Sequence, residues 1–180
     1  MEVNNPVVHQ IPSNMDVCYE QVYVECGNPS PEKIRLLRDV IEKKVVFEPS
    51  IGILVHRKET IRSIRNHDQV LDLLKSVYPE MEWRVFGSES IADTVELFRK
   101  AKLIVAPHGA GTTNMIFSAA GIKVMEFMPV DSPNLCYWHL AEALGNSYSM
   151  IACDTVNHQM TVDIAETKQI LLEHVDAQKN

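Results

Sequence analysis

Short apolar runs alternate with segments of helical periodicity along most of this chain, and that alternation limits the fold more than any other feature. The apolar runs are IGILVH (51–56), EWRVFG (82–87), LIVA (103–106), IKVMEFM (122–128) and YSMIAC (148–153). Between and after them, residues 67–78, 91–101, 134–145 and 163–175 place apolar side chains three and four positions apart. That spacing puts them on one face of a helix. Upstream, VCYEQVYVEC (17–26) alternates in the manner of a strand, and Ser30-Pro31 opens a helix expected over 31–44 with Ile34, Leu37, Val40 and Ile41 on one side. Strands separated by helices of this length form βαβ units with right-handed crossovers. The expected fold is therefore α/β and Rossmann-like: a mainly parallel sheet with helices on both faces. Residues 1–16 are expected to be an irregular arm and 17–180 a single domain. A further helix is expected to start near 110–113, and Gly145 to close the helix before it.

The chain carries a net charge of −7. Nucleic-acid and anionic-membrane surfaces require clustered positive charge, so neither is an expected partner. No run of 18 apolar residues is present, so no membrane-spanning helix is expected. The first residues lack the basic and apolar regions of a signal peptide. Cys18, Cys26, Cys136 and Cys153 form no CxxC pair and no zinc-site spacing with histidine, and are expected to be free or buried thiols, with one disulfide left open.

In a sheet of this kind ligands bind beyond the carboxyl ends of the strands, at a switch in strand order. The loops after 56, 87, 106 and 128 are therefore the places to look. After 106 comes PHGAGTTN, which contains His108, Gly109, Ala110, Gly111, Thr112, Thr113 and Asn114. Its glycines allow a sharp turn and a close backbone approach, and a helix beginning there would offer unpaired N–H groups to an anion. After 56, HRKETIRSIRN supplies Arg57, Lys58, Arg62 and Arg65, with Asn66 at its end. Arginine presents a bidentate fork to phosphate oxygens. Glu126 follows Gly109 by 17 residues, near the end of the next strand, where nucleotide-binding sheets hold ribose hydroxyls. Taken singly, each has a plain structural reading: a glycine turn, a solvated charge run, a rim glutamate. Together they specify cations for phosphate, a glycine turn for close approach and a carboxylate for sugar.

The stretches ILVHRKETIRSIRN and ADTVELFRKAKLIVAPHGAGTTNMIFSAAGIKVMEF resemble the conserved half of the family-61 glycosyltransferases, the DUF563 group. The shared marks are a strand ending in Arg, a second Arg and an Asn soon after, and a helix leading into strand-(A/P)-H-G-A-G-x-T-N. An apolar strand ending in Glu-Phe is a further mark. The likeness covers about residues 17–152. It implies a lobe like the C-terminal half of a GT-B enzyme, binding a nucleotide sugar, usually UDP-linked. It also implies that Arg57, Arg62 and His108 act in catalysis, and that Asn66, Gly109, Gly111, Thr113, Asn114 and Glu126 bind the donor; Ala110 and Thr112, in the same turn, are expected to bind it with them.

The expected function is transfer of a sugar from a UDP-sugar to a glycan or protein acceptor with inversion. Arg57 and Arg62 would stabilise the leaving diphosphate, and His108 would hydrogen-bond phosphate or sugar and is the in-chain candidate for a base. No DxD-like motif stands at a strand end, so no metal ligand is assigned and the reaction is expected to be metal-independent. The length suits one lobe, so an N-terminal lobe or partner chain is expected to complete the cleft. The resemblance implies a Golgi or ER lumen for a eukaryotic protein and the cytoplasm for a bacterial one. The alternative function is a nucleotide- or phosphosugar-binding module without catalysis. A serine hydrolase using HGAG as an oxyanion segment is disfavoured, because no G-x-S-x-G elbow is present.

Overall fold

A computed structural model describes residues 30–42, 48–58 and 61–176. The arm expected over 1–16 and the strand expected over 17–26, with Cys18 and Cys26, lie outside the described residues.

The elements follow in the order α1 (Pro31–Glu42), β1 (Ile51–Val55), α2 (His67–Val77), β2 (Glu82–Phe86), α3 (Ile91–Arg99) and β3 (Ala101–Pro107). A 3-10 helix (Ala110–Phe117), β4 (Lys123–Pro129), α4 (Cys136–Ala143), β5 (Ser147–Val156), β6 (Gln159–Thr161) and α5 (Ile164–Asp176) complete the chain. The sheet order is β2-β1-β3-β4-β5-β6; β1 to β5 are parallel and β6 runs antiparallel to β5. From β1 the chain steps outward to β2, then crosses back to place β3 on the other flank of β1. The switch point therefore lies between β1 and β3.

Period-2 alternation sorts side chains onto the two faces. Ile51, Ile53, Val55, Ile104, Ala106 and Val124 join one buried cluster with Phe98, Met115 and Leu144, under α1, α3, α4 and the 3-10 helix. Leu54, Leu103, Val105, Met125 and Phe127 join the other with Val70, Leu74 and Leu171, under α2 and α5. Phe86 meets Phe98 edge to face, ring centroids 5.0 Å apart. Both faces of the central strands are covered, which is why β1, β3 and β4 read as near-continuous apolar runs.

Two elements differ from expectation. The helix after the glycine turn is 3-10 rather than α, with Thr112 N–H donating to the Gly109 carbonyl at 2.9 Å and Ser118 N–H to Met115 at 3.1 Å. Its β-branched and aromatic residues favour α-helix weakly, and the Asn114 amide donates to the Gly111 carbonyl at 3.1 Å, competing with a regular helical ladder. The second difference is β6. Asn157 and His158 both have positive φ, 53° and 62°, the turn that closes a two-residue hairpin. Asn-His is not the usual Asn-Gly signal, so the sequence concealed it.

Candidate functional site

The residues predicted at the strand ends converge at the switch point, though not all in the expected roles. Arg57 stands two residues beyond β1. Its Nη1 donates to the His108 carbonyl at 3.0 Å, tying the β1 loop to the β3 loop. A Cβ placed on Gly109 would lie 1.7 Å from that Nη1 and 3.0 Å from Cζ, so the glycine is what lets the guanidinium lie across the turn. Gly111 admits a second close approach: a Cβ there would come within 2.8 Å of the Val55 side chain.

Arg62 comes from the same loop with φ 66°, and its N–H donates to the His158 carbonyl at 2.5 Å. It lines a cleft of about 440 Å³ with His108, Asp131, Asn134 and His158. Burial first, then the like charge of Arg62, hold the Arg57 guanidinium below its ordinary pKa. The two cations are thus close enough to repel. Among the described residues no carboxylate forms an ion pair with either. Two neighbouring guanidinium groups without a paired carboxylate make a local positive field that a multivalent anion relieves. Arg57 and Arg65 line a neighbouring hollow with His56, His67 and Asn66, outside the cleft that Arg62 lines.

His108 is 3% exposed and Glu126 fully buried, and His108 Nδ1 lies 2.6 Å from Glu126 Oε1. Tyr148 donates its hydroxyl to Glu126 Oε2. Burial pushes the Glu126 carboxyl pKa up, opposed by these two hydrogen bonds. Burial, and the bond to Glu126, push the Tyr148 phenol up as well. Tyr137 packs on His108 with ring centroids 5.2 Å apart. Among the described residues His108 makes no hydrogen bond through Nε2, and the residue lines the cleft.

Three expected ligand contacts take other roles. Glu126 has both oxygens engaged by protein side chains and no exposed surface, so it supports His108 rather than reaching a ribose hydroxyl. Asn66 spends its amide on Val162, with Nδ2 donating to the carbonyl at 2.9 Å and Oδ1 accepting from the N–H at 3.0 Å. It clasps the arginine loop to the residue after β6, and at the N-cap position of α2 its side chain makes no capping hydrogen bond. Thr112 is fully buried with its hydroxyl facing the interior. Thr113 and Ala110 are exposed at the turn.

Sequence reasoning missed the rest of the support. Ser63 and Arg65 exchange backbone hydrogen bonds with Met160, at 2.8 and 2.9 Å, so β6 holds the loop that carries Arg62. Tyr148 lacked any motif, but it pairs with Val124 in register, on the face that bears Glu126.

Fold and site together define a doubly wound α/β domain with a cleft lined by Arg62 and His108 beyond the carboxyl ends of its strands, and Arg57 beside it. The chain belongs to the Glycosyltransferase 61 family, whose model matches residues 6–125. That span holds Arg57, Arg62 and the His108–Asn114 turn, and stops one residue short of Glu126. No curated protein matches the chain. Among solved structures, a lysine decarboxylase of Francisella novicida aligns at 10% identity with TM-score 0.42, covering 72% of this chain and 17% of its own. The flavodoxin of Streptococcus pneumonia TIGR4 aligns at 11% identity with TM-score 0.42, covering 71% of this chain and 98% of its own.

Proposed function

We propose that this chain is the donor-binding lobe of a glycosyltransferase that takes a UDP-sugar and transfers the sugar, with inversion, to a glycan or glycoprotein acceptor. The observation that carries the reading is the pair Arg57 and Arg62, which form no ion pair with a carboxylate among the described residues, with Arg57 lying across the Gly109 turn at the switch point. A diphosphate placed there takes charge-assisted hydrogen bonds from both arginines. Each contributes about 1.5–3 kcal/mol, and most when charge builds on the leaving oxygen. The guanidinium groups supply the positive charge that a metal ion supplies elsewhere, so the reaction runs without one. Attack by the acceptor hydroxyl on the anomeric carbon, with its proton passing to a base, breaks the bond to the diphosphate in one displacement, which inverts the centre. A second lobe or partner chain closes the cleft and contributes acceptor contacts.

The test is a panel of nucleotides and nucleotide sugars read by thermal unfolding. A donor at a hundredfold excess over Kd stabilises the fold by about 2.7 kcal/mol, a rise of roughly 5–10 °C. Uridine nucleotides are expected to give that rise in wild type and to lose it in Arg57→Ala. No rise with any uridine nucleotide would refute the reading. The anomeric configuration of the product, read by NMR, tests inversion, and turnover in the presence of EDTA tests metal independence.

A further inference from the structure

His108, Glu126 and Tyr148 lie on one face of three adjacent strands. Ala106 pairs with Glu126 and Val124 with Tyr148, and His108 stands two residues beyond Ala106. The three side chains share the face that packs against α1, α3, α4 and the 3-10 helix. We propose that Glu126 and Tyr148 are positioning residues that hold His108 as its Nδ1–H tautomer, with Nε2 turned to the cleft as the acceptor for a substrate hydroxyl. This rests on the donor-binding reading.

The ring is held from several sides. Nδ1 lies 2.6 Å from Glu126 Oε1, the Tyr137 ring packs on the imidazole at 5.2 Å, and the backbone N–H of His108 donates to the Phe127 carbonyl at 2.9 Å. Its carbonyl is taken by Arg57 at 3.0 Å. Glu126 has no freedom to turn away, since its other oxygen accepts the Tyr148 hydroxyl and the carboxylate is fully buried. A carboxylate oxygen accepts, so Nδ1 carries the hydrogen. A neutral imidazole has only one ring hydrogen, which leaves Nε2 with a bare lone pair.

The consequence divides labour in the cleft. A diphosphate oxygen has no hydrogen to offer a bare Nε2, whereas a hydroxyl does. The arginines therefore hold the phosphates, and His108 reads a hydroxyl of the donor sugar or of the acceptor.

The test is nitrogen NMR of the His108 imidazole in the full chain. Wild type is expected to show Nδ1 protonated and Nε2 bare. Inorganic diphosphate should leave Nε2 bare. A UDP-sugar should shift Nε2 if the partner is the donor sugar; a shift only on adding acceptor assigns the acceptor hydroxyl. Glu126→Gln offers an amide N–H to Nδ1 and should move the hydrogen to Nε2. It should lower kcat by roughly 100- to 10,000-fold with donor KM little changed, as when the partner of an active-site histidine is altered. Tyr148→Phe should keep the tautomer and lower kcat less. A merely structural pair would lower the melting temperature and leave tautomer and kcat alone, and that result overturns the proposal. So does an Nε2–H tautomer in wild type, or protonation of Nε2 by diphosphate. If Glu126→Gln fails to fold, the wild-type tautomer and Tyr148→Phe still decide. The tautomer readout needs no turnover, so a failed nucleotide screen sinks the donor-binding reading without deciding the tautomer.

Discussion

Gly109→Ala probes how the turn and the arginine cooperate. The new methyl would lie 1.7 Å from Arg57 Nη1, inside any van der Waals contact, so the guanidinium must swing off the turn. That breaks its 3.0 Å bond to the His108 carbonyl and removes it from the proposed diphosphate. Losing one charge-assisted contact of about 1.5–3 kcal/mol weakens UDP binding roughly 10- to 150-fold. A separate cost falls on stability. Gly109 has φ 158° and ψ 175°, a region nearly reserved for glycine, which adds about 1–3 kcal/mol of strain. A double-mutant cycle by calorimetry separates the two. In an Arg57→Ala background the obstacle is gone, so adding Gly109→Ala should weaken UDP binding little further. The melting temperature should still fall in both backgrounds. Affinity losses that simply add would show that the glycine does not act through Arg57, and would refute the reasoning.

Two further outcomes follow from the local structure. Asn66→Ala removes both bonds to Val162, so stability should drop by about 1–3 kcal/mol, lowering the melting temperature by roughly 3–10 °C. Hydrogen exchange should rise at Met160 and Val162, and unchanged exchange there would count against the clasp. Cys153 is buried and its thiol pKa is pushed up to about 12, chiefly by burial. A raised acid pKa means this burial favours the folded state fully below the ordinary thiol value of 9.0, and the contribution fades as pH climbs toward 12. Peptide mapping after alkylation near pH 8 should find Cys153 unmodified until the protein unfolds. Rapid labelling of the native protein at Cys153 would contradict its placement.

Much of the fold was legible because parallel strands covered on both faces must be apolar throughout. The runs at 51–55, 103–107 and 123–129 need no partner information to be recognised. The arginine loop and HGAG turn were legible as chemistry for a similar reason: cations and paired glycines are unusual at the end of a buried strand. Asn66 and Glu126 show the limit. Each was marked by residue type and spacing, but what an amide or carboxylate bonds depends on what the fold lays against it. For Asn66 that is Val162, 96 residues away; for Glu126 it is His108 and Tyr148.

By itself, then, the sequence determined the layered α/β architecture, the rim on which a site would form and the side chains available there, because local periodicity and turn chemistry act over a few residues. Tertiary structure decided the rest. It chose Arg62 over Arg65 for the cleft, converted Asn66 into a clasp, and buried Glu126 beneath His108. It also brought the Tyr148 hydroxyl to the Glu126 carboxylate, 22 positions earlier in the chain. Strand order and register set those distances, and both come from how all the faces pack together rather than from any one stretch of residues.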